Sequence, residues 1–284
     1  MDRRPVVAAF DHETGLRRPG DYRRVVFASE STTIIDLSVS YEAAPPRGAT
    51  SRYQVVLPYL GLFTYSVGRR STTVDANRTL MVPAGIEYAD SHPVRNLGHS
   101  AVAIAPEPEV MEELCRLLGS RPADVFTDLS QPASPKLRLA AHRLRNIADH
   151  GAGPLEADEL AIQVLQEVLD TPKRSGGAPI VQRAKHVIHE RGCERLSLQD
   201  IARAVGVSPV YLTQEFTRTE GMPLYQYQLH LRLGRALVEL PHCADITGLA
   251  IDLGFSSHSH FGAAFRRVFG VTPAEFRSGV VRPI

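Results

Sequence analysis

The sequence of 284 residues contains only three cysteines, no long uncharged apolar run and almost no net charge. Cys115, Cys193 and Cys243 stand far apart, and their spacing matches neither a zinc site nor a disulfide framework. We therefore expect buried, unreactive thiols in a reducing compartment. No segment approaches the roughly 18 apolar residues of a membrane helix, and the N-terminus lacks a secretory apolar region. These absences predict a cytoplasmic protein without a membrane partner.

The few net charges are unevenly distributed along the chain. From residue 180 onward there are 12 Lys and Arg against 9 Asp and Glu, together with six of the eleven histidines. Before that point the balance is 20 against 22. A mildly basic C-terminal part is compatible with nucleic-acid binding but does not demonstrate it, because many enzymes carry such a face.

Residues 20–105 have the pattern of short β-strands. The segments "YRRVVFASESTTIIDLSVSY", "YQVVLPYLGLFTYSVG", "RTLMVPAG" and "HSAVAIAP" are rich in β-branched residues and end in turn residues. Several short strands without helices between them predict an antiparallel sandwich or barrel.

Alternation within one of these strands suggests a binding pocket. It places Tyr53, Val55, Leu57, Tyr59, Phe63 and Tyr65 on one side, unless Pro58 or Gly61 breaks the register. Aromatic rings with polar tips suit the wall of a small-molecule site, and a plain barrel core is the other interpretation. The residues that we expect to bind an effector are Tyr53, Tyr59, Phe63, Tyr65 and Tyr88.

Residues 106–170 change to helical spacing. The last helix, "PLEADELAIQVLQEVLD", begins with a proline and acidic residues, as helices often do. Its apolar stripe is wide enough for two neighbours, so it serves either its own domain or a second subunit. For the second alternative, the expected dimer contacts are Ala161, Val164, Leu165 and Val168.

A stretch of prolines, glycines and basic residues, "TPKRSGGAP" at 171–179, has the composition of a linker. We place the domain boundary there, with one domain at 1–170 and an all-helical domain at 180–284. The fold class expected is therefore α+β.

The helical part contains an internal repeat. Ala250 and Gly254 follow Ala202 and Gly206 by 48 residues, and the apolar anchors Phe261 and Phe265 follow Leu212 and Phe216 by 49. A small residue, a turn glycine and two later apolar anchors are the parts of a helix-turn-helix. Two such units in register, joined by a long helix at 224–240, are far less expected in an ordinary helical bundle, which is the alternative.

Each unit would present one recognition helix to a major groove of DNA. Gln214 can form a bidentate contact with adenine, and Val210 can meet a thymine methyl group. In the second helix Gly262 and Ala263 are too short to reach a base. The residues expected to contact DNA are Val210, Thr213, Gln214, Thr217, Arg218, Ser257, His258, Ser259, Arg266 and Arg267.

Residues 180–282 closely resemble the DNA-binding domain of the AraC/XylS family of bacterial transcription regulators. The resemblance is carried by "LSLQDIARAVGVSPVYLTQEFTRTEGMPLYQYQLHLRLGRALVEL" and "ITGLAIDLGFSSHSHFGAAFRRVFGVTPAEFR". It implies an N-terminal sensing domain, often a cupin-like barrel, followed by dimerisation helices. The expected partners are double-stranded promoter DNA, a second copy of the chain, a small-molecule effector and RNA polymerase.

No catalytic or metal site is evident. A catalytic cupin needs converging histidines and a carboxylate, yet no histidine lies between His12 and His92, and Tyr88 follows the P-x-G turn where a histidine would stand. A DNA-repair alkyltransferase would need an activated cysteine, and nothing around the three cysteines suggests one. We expect no catalytic residues and no cofactor. The alternative function is a metal-free cupin-type enzyme tethered to a DNA-binding unit.

Overall fold

The computed structural model describes residues 22–40, 47–147, 153–171, 178–192 and 196–279. A sheet with packed helices precedes an all-helical region, which confirms the expected α+β class. The strands are β1 (Tyr22–Ala28), β2 (Thr32–Val39), β3 (Arg47–Gly48), β4 (Gln54–Val67), β5 (Arg70–Asp75), β6 (Arg78–Val82), β7 (Tyr88–Ser91), β8 (His99–Pro106) and β9 (Ser130–Pro132). The helices are α1 (Pro108–Leu117), α2 (Pro122–Val125), α3 (Pro135–Arg145), α4 (Pro154–Asp170), α5 (Pro179–Glu190), α6 (Leu198–Val205), α7 (Pro209–Glu220), α8 (Leu224–Glu239), α9 (Ile246–Asp252), α10 (His258–Phe269) and α11 (Pro273–Arg277).

The strand pairs are antiparallel, as the sequence predicts. Within the described residues, the main pairing path is β1-β2-β8-β4-β6-β9. The second half of β4 pairs instead with β5 and β7, and β7 also pairs with β3. The 14-residue strand β4 therefore belongs to two sheets and joins them.

The register of β4 changes between Pro58 and Leu60, where its pairing with β8 skips a residue. Gly61 follows with φ +80°, and a Cβ there would lie 1.9 Å from the carbonyl oxygen of Gly98. Only glycine fits this close approach of two backbones. Because side chains alternate between the faces of a strand, the extra residue moves the later side chains to the opposite face.

Two apolar cores lie on opposite faces of the sheet, as the alternation along β2, β6 and β8 demonstrates. Ile34, Val102 and Ile104 pack with α1, α3 and α4, whereas Ile35 and Ala103 pack in a second core that also contains residues of β4 after its bulge. The helix-facing core positions α3 and α4 against the sheet.

The apolar stripe of α4 serves its own domain. Ala161, Val164, Leu165 and Val168 are 0–3% exposed and belong to the helix-facing core. A face that is buried within its own chain is not available to a second copy. The assignment of these four residues to a dimer contact is therefore corrected, and the alternative interpretation, packing within one domain, describes them.

The C-terminal helices form the two helix-turn-helix units that the repeat predicts. α6 and α7 make the first unit, α9 and α10 make the second, and α8 joins them. Gly206 and Gly254 lie in the turns with φ of +74° and +78°, a conformation that favours glycine. Ser208 and Ser257 cap α7 and α10 with their side-chain oxygens.

The two parts of the chain also pack on each other. Leu139 of α3 lies in the core of the second unit. Gly234 of α8 lies against Ala76, in the turn between β5 and β6, and a Cβ added at Gly234 would be 3.7 Å from the Cβ of Ala76. Most of the predicted linker, residues 172–177, is outside the described residues, so the domain boundary stays a prediction. None of the described helices has the length and apolar character needed to cross a bilayer.

Candidate nucleic-acid interface

The first recognition helix, α7, has one buried and one exposed face. Leu212 and Phe216 are fully buried and hold the helix against α5, α6 and α8. Val210 on the opposite face is 68% exposed. The other predicted DNA contacts of this helix are exposed as well, and they are Thr213, Gln214, Thr217 and Arg218.

Two polar groups on this face already have partners within the helix. The Thr213 hydroxyl donates to the carbonyl of Pro209 at 2.9 Å. The Arg218 guanidinium contacts both carboxylate oxygens of Glu215, at 3.2 and 2.7 Å. This contact raises the pKa of Arg218 and lowers that of Glu215. Arg218 therefore presents a neutralised pair rather than a lone cation.

The exposed face of α7 also contains Tyr211, which our sequence analysis did not include. Its ring is 49% exposed in the first turn of the helix. The N-terminal residues of a recognition helix approach the base edges, so the place of Tyr211 in the first turn of α7 could have identified it as a candidate DNA contact.

The second recognition helix, α10, is anchored in the same way. Phe261 and Phe265 are fully buried and stack edge-on at a ring-centroid distance of 5.7 Å. An open trough of about 760 Å³ runs along the outer face, over Gly262. The side chains around this trough include His258, Ser259, Ala263, Arg266 and Arg267.

The start of α10 is organised by short polar contacts. Ser257 is the N-cap, and its hydroxyl oxygen accepts from the backbone N–H of His260 at 3.1 Å. Thr247 lies 3.4 Å from Nδ1 of His258, and Ser256 lies 2.9 Å from Nδ1 of His260. Ser257 thus has a capping role, and the exposed His260 is a second residue that our sequence analysis missed.

The two recognition helices flank one groove. A groove of about 460 Å³ is lined by Thr213 from α7, by His260 from α10, and by Tyr225 and Gln228 of α8 between them. Each recognition helix therefore contributes a side chain to one groove that runs beside α8.

Comparison with known proteins identifies this region. Residues 201–279 match the family model described as "Helix-turn-helix domain". A solved structure from Chromobacterium violaceum, titled as a transcriptional regulator of the AraC-type DNA-binding domain-containing proteins, is 34% identical. The match covers 37% of this chain and 96% of that one, with a TM-score of 0.34. Residues 201–279 therefore form an AraC-type helix-turn-helix domain, as the resemblance in the sequence implies.

The curated relatives match about a third to a half of this chain. The Msm operon regulatory protein of Streptococcus mutans is 30% identical over 102 residues, which cover 35% of this chain and 36% of the relative. The transcriptional regulator ArgR of Pseudomonas aeruginosa is 33% identical over 139 residues, which cover 46% and 42%. The chain thus spans about two fifths or less of the length of these relatives.

The predicted effector residues are not brought together into one pocket. The bulge in β4 leaves Tyr53 and Tyr59 beside the helix-facing core, while Phe63, Tyr65 and Tyr88 belong to the second core. Of the two alternatives that the sequence left open, the structure has the broken register, so Tyr53 and Tyr59 do not share a side of β4 with Phe63 and Tyr65.

Tyr59 lines a cavity between the sheet and the AraC-type domain. The cavity has a volume of about 80 Å³, and its wall also includes Leu97, Ile188 and Arg232. The Tyr59 hydroxyl donates to Oδ1 of Asp36 at 2.8 Å. Burial, followed by the Asp36 charge, raises the pKa of Tyr59 well above its usual value.

The other aromatic residues pack among themselves. Tyr65 and Tyr88 have ring centroids 5.1 Å apart, and Phe63 stacks on His99 at 3.8 Å. Tyr53 contacts Phe126 at 4.7 Å between ring centroids. These three contacts are those of a packed protein core.

Possible metal ligands and thiols are the groups of the described residues that bear on catalytic chemistry. Within the described ranges, no three His, Cys, Asp or Glu side chains are grouped so that they could hold a metal ion. Cys115 is buried, and burial raises the pKa of its thiol. Cys243 is partly exposed, contrary to expectation, and its thiol donates to the carbonyl of Asp245. Cys193 lies outside the described residues.

Proposed function

We propose that this protein is a transcription regulator that binds promoter DNA sequence-specifically and has no catalytic step. The observation that carries the proposal is the pair of helix-turn-helix units, each with a recognition helix that has a buried inner face and an exposed outer face. Successive major grooves on one face of DNA lie about 34 Å apart, so a rigid pair of helices is suited to two adjacent grooves. The family relationship of the domain supports the same function.

We propose unequal roles for the two helices. On α7, Gln214 and Val210 project side chains that discriminate adenine and thymine in the major groove. On α10, Gly262 and Ala263 leave an open trough, and only His258 and Ser259 reach toward the bases. Arg266 and Arg267 of α10 then neutralise phosphates. Thr213, Thr217 and Arg218 lie at the edge of the surface that α7 presents to DNA. Phosphate contacts position a protein on DNA without selecting its sequence.

We propose that the N-terminal domain senses a small molecule and that Tyr59 contacts it. This residue lies at the wall of the cavity between sheet and AraC-type domain, so a molecule bound there would touch both parts of the chain. The remaining predicted effector residues, which pack in the cores, are less suited to direct contact. Binding of such a ligand would raise the melting temperature.

We also propose that the regulator works as a homodimer in the cytoplasm and contacts RNA polymerase at the promoter. The buried stripe of α4 requires that a dimer use another surface. Light scattering on the purified full chain tests the dimer: a mass of one chain at micromolar concentration would contradict it.

DNA binding is tested with the full chain and DNA from upstream of its own gene. The affinity should fall with salt at a log–log slope of about −0.9 for each phosphate neutralised. Arg266→Ala with Arg267→Ala should flatten this slope by about two units, because two phosphate contacts are lost. The control Arg116→Ala alters an exposed arginine of α1, far along the chain from the helices, and should leave the slope unchanged. Absence of binding even at low salt would overturn the proposal.

A further inference from the structure

The turn between β5 and β6 is inserted into the helical domain. Its four residues, Asp75, Ala76, Asn77 and Arg78, are 0–5% exposed. The backbone N–H of Asn77 donates to the Asp75 carboxylate at 2.8 Å, which holds the turn in shape. Three of the four carry polar side chains, and such groups are buried only where they have partners. Each of the three polar side chains has a partner on the AraC-type domain.

The first half of the turn contacts α5 and α8. Oδ2 of Asp75 lies 3.1 Å from Nζ of Lys185, and it accepts a hydrogen bond of 2.5 Å from the hydroxyl of Tyr227. The Asn77 side-chain amide donates to the backbone carbonyl of Tyr227 at 3.1 Å. Helix α8 is therefore held to the turn through both its backbone and a side chain.

The last residue of the turn reaches the first recognition helix. Arg78 donates through Nη1 to Oε2 of Glu220, the C-terminal residue of α7, at 3.2 Å. The other oxygen of Glu220 lies 3.2 Å from Nζ of Lys185. Arg78 is itself fixed in the sheet, because it also donates to the hydroxyl and the carbonyl of Ser130. The end of α7 is thus tied directly to the sheet.

Asp75, Lys185, Glu220 and Arg78 form a chain of buried ion pairs. Two carboxylates, Asp75 and Glu220, face two cations, Arg78 and Lys185, and each of the four side chains is at most 4% exposed. Buried ion pairs contribute little net stability compared with apolar packing, but their geometry is strict. Their effect here is to define where α7 sits relative to the sheet.

The second unit is attached to the N-terminal domain at a separate place. Leu139 of α3 packs in the core around Phe261 and Phe265, and the ring of His142 lies 4.8 Å from that of Phe276. The N-terminal domain therefore contacts both units directly, in addition to its contacts with helix α8 that joins them.

We infer that the N-terminal domain sets the distance and angle between the two recognition helices, and that Arg78 and Glu220 are positioning residues for DNA recognition. This inference rests on the proposed DNA-binding function. One extra base pair between the two contacted segments rotates one segment by about 34° around the DNA axis relative to the other. A clamped pair of helices tolerates this poorly, whereas a pair joined only by α8 adjusts to it.

The test compares the full-length protein with its Arg78→Met/Glu220→Gln variant. This variant removes both ion pairs of Glu220, with Arg78 and with Lys185, at similar volume and leaves Asp75 with Lys185. Affinity is measured for a selected site, for the same site with one base pair inserted between its segments, and for a site whose second segment is scrambled. The insertion should weaken wild-type binding at least about tenfold and the variant less than about threefold. The wild type and the variant should bind the scrambled site with affinities that differ by less than about twofold.

Matched variants separate positioning from general damage. Arg78→Lys keeps the positive charge and should keep the wild-type dependence on spacing. Melting curves establish that each variant is folded. If the double variant does not fold, Glu220→Gln alone and His142→Ala on α3 replace it. Equal spacing dependence in wild type and folded variants, or none in wild type, would overturn the inference while leaving DNA binding intact. Failure of the wild type to bind any of the three sites would instead contradict the proposed function.

Discussion

Lys185 and Asp75 form a buried ion pair in which Nζ and Oδ2 are 3.1 Å apart and the side chains are 1% and 0% exposed. The pair joins α5 of the AraC-type domain to the last residue of β5. Burial alone would raise the pKa of Asp75, but the Lys185 ammonium, with His189 and the Tyr227 hydroxyl, lowers this pKa well below its usual range. The carboxylate therefore stays charged inside the protein because its partners are present.

Lys185→Met should destabilise the full-length protein by about 3–5 kcal/mol, because it leaves Asp75 and Glu220 buried without one of their cations. Urea unfolding followed by circular dichroism measures the change. Lys136→Met removes an exposed lysine of α3 and should change the free energy of unfolding by less than about 0.5 kcal/mol. Equal effects of the two substitutions would show that the buried pair contributes no more than a surface charge.

Asp90 of β7 should make stability depend on pH. Its Oδ1 is buried without a hydrogen-bond partner among the described residues, and burial raises the pKa of Asp90 to about 7. Between about pH 4 and pH 7 the folded carboxyl keeps a proton that the unfolded chain has lost, so stability falls as the pH rises through this window. Asp90→Asn should raise the free energy of unfolding at pH 8 by on the order of 2–4 kcal/mol.

The measurement for Asp90 is urea unfolding of wild type and Asp90→Asn at several pH values between 4 and 8. The two proteins should approach each other in stability toward pH 4, where the folded carboxyl is protonated and the unfolded one begins to be. A variant that is equally less stable at every pH would mean that the Asp90 carboxylate has a partner that burial alone does not reveal.

Leu165→Glu together with Val168→Glu should unfold the N-terminal domain rather than separate two subunits. Both side chains lie in the core beneath α4, and an unpaired charge there costs more than about 3 kcal/mol. Leu155→Glu, at a 72% exposed position of the same helix, should leave the fold intact. Circular dichroism and light scattering distinguish the results: a folded double variant of halved mass would restore the dimer assignment.

Gln214→Ala should relax base preference at one position of the operator and cost about 1–3 kcal/mol there. Arg267→Ala should weaken all sites alike and flatten the salt slope by about one unit, since it removes a phosphate contact. Binding-site selection on these variants and on His258→Ala measures both effects. A larger loss of preference from His258→Ala than from Gln214→Ala would reverse the roles given to α7 and α10.

Two glycines of the helix-turn-helix units should respond oppositely to alanine. Gly262 lies within α10 with open space around it, so Gly262→Ala should stabilise the protein by about 0.5–1 kcal/mol. Gly206 has φ +74° in the turn, so Gly206→Ala should destabilise the protein by about 1–2 kcal/mol, although the space around Gly206 is as open as that around Gly262. Thermal unfolding of both variants gives the comparison, and changes of the same sign would contradict it.

The features that could be predicted from the sequence are those whose causes are local. Ser208, Ser257 and the turn glycines act within three or four residues of their own position, and apolar spacing such as Leu212 with Phe216 defines the inner face of one helix. The two helix-turn-helix units and their outward residues follow from these short-range signals. The antiparallel strands also follow from local alternation and turn residues.

Packing partners depended on the tertiary structure. The stripe of α4 predicts a buried face without saying what covers it, and the sheet of the same chain turned out to cover Leu165. In β4, the backbone approach of Gly61 to Gly98 separates Tyr59 from Phe63, although alternation alone would keep them together.

The buried charges illustrate the same division most clearly. By itself, the sequence determined that residues 180–279 carry two helix-turn-helix units, because helix caps, turn glycines and apolar periods act over a few residues. It did not indicate that Arg78 and Glu220, 142 positions apart, would meet in the interior. Charged residues are normally exposed, and only the fold brings their opposite charges close enough to offset the loss of water. The orientation of the two recognition helices was therefore decided by contacts that no local pattern encodes.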